Sequence, residues 1–210
     1  EYGVSTAVLA RLVEVVSGER FDQYLENHIF RPLNMKDTGF YIESDKLGRL
    51  SASFVRNAEG VLEKPVGDQW LPRTSRPTFT PGDTGLYSTL SDYFAFSQML
   101  LNKGEFNGVR LLGPKTVELM MTDFVPPSIP KVVLAPGRGF GLGFSVYGDK
   151  VSTQSMVSKG SVTWPGASGT LFWIDPVEDM LVILYTQTYP PNIPRMQLTI
   201  ETLVYQALIK

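Results

Sequence analysis

The chain has 210 residues, 43% hydrophobic and 19% charged, with a net charge of -2. That composition suits one globular domain or a large part of one, and with no basic run or stripe it points away from nucleic acid as a partner. No apolar run is long enough to span a membrane, the lack of cysteine excludes disulfides and a thiol nucleophile, and a lone histidine, His28, leaves no basis for a zinc site of the His/Cys type; no metal or other cofactor is expected.

The chain begins Glu1-Tyr2-Gly3-Val4 and runs at once into a helix. Ser5 reads as its N-cap and Gly18 as its left-handed stop. Between them Ala7, Val8, Leu9, Ala10, Leu12, Val13, Val15 and Val16 leave only Arg11 and Glu14 charged, so the helix calls for burial on nearly every side. A second helix is expected over 20–29, with Phe21, Tyr24, Leu25 and Ile29 inward and Pro32 as its stop. His28 sits late in that helix and reads as a helix-end residue, so any acid–base work falls to Tyr, Lys, Asp or Glu. Residues 50–55 and 61–66 suggest a hairpin around Asn57-Ala-Glu-Gly60. Residues 70–81 read as a long loop, either a binding loop or a packing segment.

Thr89-Leu-Ser-Asp92 resembles a capping box with Asp in place of Glu, opening a helix that carries Tyr93, Phe96 and Leu100 on one face and ends at Lys103-Gly104. Pro114 starts a short helix through Val117, Met120 and Met121. A proline-rich connection over 124–136 contains Ser128-Ile-Pro-Lys131. Those letters match S-x-x-K, but that motif needs a helix to set Lys one turn after Ser, and Pro127 and Pro130 oppose one. Gly139 to Tyr147 alternates glycine with large apolar residues and reads as one strand with close backbone approach.

The stretch Ser161-Val-Thr-Trp-Pro-Gly-Ala-Ser-Gly-Thr-Leu-Phe-Trp-Ile-Asp-Pro176 reads as strand, small-residue turn and strand, returning over 180–187. Pro165 cannot donate to a ladder, which places a free edge there. Ala167 would then point its N–H to the same side, where a donor flanked by glycines can stabilise an oxyanion. The same letters also describe an edge hairpin with a glycine bulge. A terminal helix from Pro194 turns Ile200, Leu203, Val204, Ala207 and Leu208 inward. Helices and loops precede an antiparallel meander and a covering helix, which is the α+β class.

Together these segments resemble the serine β-lactamase-like superfamily, which includes class C β-lactamases, DD-peptidases and family VIII carboxylesterases. The match runs through Tyr2-Gly-Val4 with Leu12-Val-Glu-Val-Val-Ser-Gly18, Ile29-Phe-Arg-Pro-Leu-Asn-Met35 with Thr38-Gly-Phe40, and Gly82-Asp-Thr-Gly-Leu-Tyr-Ser-Thr89. It continues through Gln98-Met-Leu-Leu101, Gly139-Phe-Gly-Leu-Gly143, and Trp164-Pro-Gly166 with Gly169-Thr-Leu-Phe-Trp-Ile-Asp-Pro176. The resemblance implies a β-lactamase/transpeptidase-like fold: a helical, loop-rich region over 1–136, then strands and a terminal helix over 137–210, both belonging to one domain.

It also implies a serine acyl-enzyme mechanism. Tyr2 matches the Y-x-N tyrosine, Trp164-Pro165-Gly166 the strand motif, and Ala167 the second oxyanion donor. Val4 stands where the β-lactamases carry Asn, and Trp164 where they carry Lys. Tyr2 alone would read as an aromatic residue before a helix, and Trp164 either packs on a neighbouring strand or meets substrate. The family's S-x-x-K lies upstream of the tyrosine, so the chain is expected to be the C-terminal part of a hydrolase. Its partners are then a small-molecule ester or amide, the missing N-terminal segment, and, through the apolar first helix, a second copy. A carboxylesterase on neutral esters is the first expectation; a β-lactamase or DD-peptidase, and a non-catalytic scaffold of the same fold, are the alternatives.

Overall fold

The computed structural model describes residues 4–126, 128–129, 135–149, 155–191 and 193–209. Helix α1 (Ser5–Ser17) ends at Gly18, whose φ of 74° lets its N–H reach Glu14 O. Its N-cap is Val4, not Ser5, and no side chain caps it. Only Ala10 of α1 is buried, while Val8, Leu9, Leu12, Val15 and Val16 stand exposed. Helix α2 (Phe21–Leu25) widens into a π-type turn, Glu26–Phe30, closed by Arg31 N–H to Glu26 O and Met35 N–H to Phe30 O. The two segments cover the expected second helix, displaced by one residue.

Strands β1 (Phe54–Arg56) and β2 (Leu62–Glu63) form the expected hairpin, shorter than its sequence pattern. Helix α3 (Leu90–Leu101) takes Thr89 as N-cap, with Thr89 Oγ1 accepting from Asp92 N–H. The reciprocal half of the capping box is not made toward Thr89: Asp92 Oδ2 accepts from Asp37 N–H at 2.7 Å and from the Thr38 hydroxyl at 2.8 Å. A buried carboxylate thus ties the 36–40 segment to α3. Strands β3 (Glu105–Phe106) and β4 (Val109–Arg110) form a small ribbon, and helix α4 (Pro114–Met120) begins on its proline.

The main sheet has five antiparallel strands in chain order: β5 (Arg138–Phe140), β6 (Ser145–Tyr147), β7 (Val162–Thr163), β8 (Leu171–Asp175) and β9 (Met180–Leu184). Residues 139–147 are therefore a hairpin and not one strand, turning at Gly141-Leu142-Gly143 with Gly143 at φ 93°. The close approach read from its glycines is real: a Cβ on Gly139 would overlap the Asp123 carboxylate, and one on Gly141 would overlap Met120 O. Beyond β9 the chain crosses over, and β10 (Thr188–Tyr189) runs parallel to β1.

Side-chain alternation splits the sheet between two cores. Val146, Val162, Phe172, Ile174, Leu181 and Ile183 meet α3 and the π-type turn. Tyr147, Leu171, Trp173, Val182 and Leu184 meet helix α5 (Ile193–Gln206) through Ile200, Val204 and Tyr205. Leu203, expected inward, is exposed, and Ala207 and Leu208 lie past the helix end. Two polar residues take the inward face instead: Glu201 accepts from the Tyr147 hydroxyl and from Ser155, and Gln197 donates to Tyr147 Oη and Glu201. No helix among the described residues is long and apolar enough to cross a membrane.

Candidate active site

The stretch singled out by sequence is the β7–β8 connection. Register pairs Thr163 with Trp173, so Gly166 faces Thr170, and Gly166 N–H donates to Thr170 O at 2.7 Å. Gly169 N–H closes the turn onto Gly166 O at 3.0 Å, and Gly169 takes φ 86°. This is a three-residue hairpin loop ending in a left-handed glycine, the bulge geometry that such loops favour. The bulged hairpin was legible in the letters; the free edge expected at Pro165 is not found. β7 lies in the middle of the sheet, paired with β6 and β8. Pairing with β6 stops at Thr163, opposite Ser145, so Pro165 stands past the ladder's end and needs no open edge.

Gly166 N–H is spent on β8, whereas Ala167 is exposed at the first corner of the turn and its N–H makes no hydrogen bond to a described residue. The loop is held from outside by Ser168 O, which accepts from Thr188 N–H at 2.9 Å and the Thr186 hydroxyl at 3.1 Å. Trp164 is half-buried and meets Phe140 edge-on, ring centroids 5.4 Å apart, which favours the packing role while leaving the residue at the mouth of the turn.

The structure gathers Trp164, Pro165, Gly166 and Ala167 into one turn. Val4 lies at the start of α1, its side chain 74% exposed, and none of its hydrogen bonds reaches the turn. Tyr2 lies outside the described residues. The first turn of α1 rests on the Gly82 loop, where a Cβ on Gly82 would overlap Thr6 O. That loop joins the Asp92 cluster through Ser88, whose hydroxyl lies 2.8 Å from Thr38 Oγ1. Ser128 sits in a turn closed by Ile129 N–H to Pro126 O, which is not the helix that S-x-x-K requires. Lys131 is outside the described residues.

Arg73, Arg76, Arg138 and Lys159 are each engaged with another group. Lys159 pairs with Asp149 at 3.1 Å. Arg76 pairs with Asp22 at 2.6 Å, and Arg73 donates to Phe40 O. Burial alone would raise the Asp22 carboxyl, but hydrogen bonds from Arg76 and Arg20 hold it below the usual range. Arg138 is buried over the Tyr147 ring, 3.7 Å from Glu201.

A Beta-lactamase family model matches residues 1–205. The chain belongs to the Beta-lactamase family. Protein Rv1367c of Mycobacterium tuberculosis (strain ATCC 25618 / H37Rv) is 32% identical over 197 residues, covering 90% of this chain and 49% of that protein. A putative D-alanyl-D-alanine carboxypeptidase of Escherichia coli (strain K12) is 26% identical over 196 residues, covering 86% of this chain and 43% of its own. The chain thus spans about half the length of these curated relatives.

Among solved structures, the simvastatin synthase LovD from Aspergillus terreus superposes with a TM-score of 0.83 at 25% identity, covering 100% of this chain and 56% of that one. EstCE1, described as a hydrolase with promiscuous acyltransferase activity, has a TM-score of 0.82 at 23% identity, covering 97% and 55%. The Beta-lactamase family groups serine hydrolases and acyltransferases, and the α+β sheet-and-helix arrangement agrees with it.

Proposed function

We propose that the protein is a serine hydrolase working through an acyl-enzyme, with neutral carboxylic esters as substrates. The observation that carries this reading is the turn itself. It offers at Ala167 an N–H that makes no hydrogen bond to a described residue, a neutral aromatic face at Trp164 and no charged side chain of its own, while Arg76 and Lys159 are paired with Asp22 and Asp149. A developing oxyanion finds a donor there. A carboxylate beside the scissile bond finds no counter-charge and pays for desolvation.

In this reading an upstream S-x-x-K segment supplies the nucleophile. Tyr2 acts as base or proton relay once a nearby lysine lowers its hydroxyl from the ordinary value near ~10. Val4, unable to hydrogen-bond, weakens the hold on the amide side chain of a β-lactam. The relative described as a putative D-alanyl-D-alanine carboxypeptidase favours a second reading, a peptidase-type hydrolase. The test is to assay the full-length protein on short-chain p-nitrophenyl esters and on a chromogenic cephalosporin. A higher kcat/KM on the cephalosporin defeats the esterase reading.

A further inference from the structure

Two aromatic rings stand beside the turn from parts of the chain that are far apart in sequence. Trp70 and Tyr189 meet edge-on with centroids 5.8 Å apart. Tyr189 belongs to β10, whose parallel pairing sets Thr188 opposite Phe54 and Tyr189 opposite Val55. The same short segment holds the turn, since Thr188 N–H and the Thr186 hydroxyl both bind Ser168 O. At the next residue of the turn, a Cβ on Gly169 would overlap Thr186 Oγ1 and stand 3.3 Å from Pro191 Cβ. Residues 186–191 therefore lie flush against the oxyanion turn, and Tyr189 is one residue from the hydrogen bond that joins them.

Trp70 N–H donates to Gly67 O. The loop that follows it is tied by Ile42 N–H to Arg73 O, by Arg73 N–H to the Tyr87 hydroxyl, by Arg76 to Asp22, and by Arg20 to Pro77 O. Tyr189 nevertheless keeps 48% of its surface open, and Leu71 beside Trp70 keeps 67%. A partly exposed aromatic pair, beside a backbone donor with no partner among the described residues, has the form of a ligand wall. By backbone spacing the Tyr189 Cα lies within roughly 14 Å of the Ala167 Cα. A tyrosine side chain and a fused aromatic ring carried on an ester whose carbonyl sits at the Ala167 N–H together cover a span of that order.

We propose that Trp70 and Tyr189 form a binding wall for an aromatic or fused-ring group of the ester substrate. This rests on the ester reading above. Rings stack edge-on or offset against such a pair, whereas a small alkyl group cannot cover it.

The test uses the full-length protein and its Tyr189→Ala, Tyr189→Phe and Trp70→Ala variants, each checked for an unchanged far-ultraviolet spectrum. Substrates are vinyl acetate, 1-naphthyl acetate with the ring on the alcohol side, and ethyl 1-naphthoate with the ring on the acyl side. The ratio of kcat/KM for a naphthyl ester to that for vinyl acetate should fall about fivefold in both alanine variants, mainly through KM, and hold within about twofold in Tyr189→Phe. The arm in which the ratio falls identifies the side that carries the ring. A ratio unchanged in both arms overturns the wall.

Should no ester be hydrolysed, the ester reading falls by itself. The wall is then read from the dissociation constant of intact 1-naphthyl acetate by saturation-transfer NMR. Weaker binding in Tyr189→Ala than in Tyr189→Phe upholds it, and equal binding, or none in the unsubstituted protein, overturns it.

Discussion

Gly169 stands flush against Thr186. A Cβ at Gly169 would overlap the Thr186 hydroxyl, and the residue also takes φ 86°, which side chains other than glycine adopt at a cost. Both constraints fall on the turn that presents Ala167. Gly169→Ala should therefore lower stability by about 2 kcal/mol, strain and displaced packing combined, and reduce ester turnover by more than tenfold as Ser168 O loses its partners. Urea titration and steady-state kinetics check the two parts separately. A variant with wild-type stability and turnover would show that the turn tolerates a different path.

Asp175 joins the sheet to the terminal helix. Its Oδ2 accepts from Ser158 N–H at 3.1 Å and from the Tyr205 hydroxyl, while Oδ1 accepts from Val177 and Glu178 N–H in the β8–β9 turn. Burial alone would raise this carboxyl, but the hydrogen bonds from Tyr205, Ser158 and Glu178 carry it below the ordinary value. Burial and the Asp175 charge push the Tyr205 hydroxyl upward, so the donor keeps its proton. The folded carboxyl thus titrates below the unfolded one, near ~3.9. Its stabilisation is complete above that value and disappears as pH falls through the lower, folded pKa. Asp175→Asn should cost about 2 kcal/mol at pH 7, with the gap from wild type narrowing below pH ~4. Urea unfolding at pH 7, 4 and 3 measures it; a gap independent of pH would assign the loss to shape alone.

Local features of this chain were legible because local physics decides them. Gly18 stops α1, Thr89 caps α3, Pro114 opens α4 and Gly169 makes a bulge, each through a backbone preference written in one or two residues. Strand order is decided by pairing between distant segments, so the central position of β7 was hidden. The glycine-aromatic alternation of 139–147 fits one strand or two equally, until Gly143 at φ 93° turns the chain. Asp92 looked like half of a capping box, and its true partners, Asp37 and Thr38, are more than fifty residues away. Glu201 and Gln197 were passed over because polar residues on a helix normally mark its wet face. Their partners Tyr147 and Ser155 come from other elements. Of the candidate site, the turn was readable from its small residues and proline. The aromatic pair beside it was not, because Trp70 and Tyr189 meet only through the crossover strand.

If the nucleophile belongs to an upstream segment, as proposed, the polypeptide of these 210 residues should be catalytically silent toward p-nitrophenyl esters, because an oxyanion donor by itself leaves only residual catalysis. Ser128 is the one place where the letters S-x-x-K occur, and Ser128 itself lies in a turn and not in a helix. Turnover accompanied by labelling of Ser128 with a serine-directed phosphonate would overturn this.

The same polypeptide should self-associate. Val8, Leu12, Val15 and Val16 on α1 are more than half exposed, and among the described residues β9 pairs on one side only, with no charged residue in Met180–Leu184. Arg11, paired with Glu14, is the exposed charge beside that stripe on α1, too little to keep two such surfaces apart. Light scattering after size exclusion should give a mass above the monomer's 23.3 kDa. Replacing Val8, Leu12 and Val15 together by Glu, Lys and Gln should return most of it toward monomer. A monomer in the unsubstituted chain at tens of micromolar would contradict the reading of that face.

Charge at Trp164 is the most direct handle on substrate choice. The indole packs on Phe140 and brings no charge to the turn, and Arg76, Lys159 and Arg138 are bound to Asp22, Asp149 and Glu201. Trp164→Lys in the full-length protein keeps an apolar stem for the Phe140 contact and brings an ammonium to the turn. Lost ring packing should cost about 2 kcal/mol of stability, which Trp164→Phe, neutral and still aromatic, controls for. A carboxylate next to the scissile bond then gains a partner within a partly desolvated site, where such pairs contribute more than on an open surface. The ratio of kcat/KM for a chromogenic cephalosporin to that for p-nitrophenyl butyrate should rise by about tenfold in Trp164→Lys and stay near wild type in Trp164→Phe. An equal ratio in both variants would mean that the charge of this position does not reach the substrate, and the preference for neutral esters would have to be sought away from the strand motif.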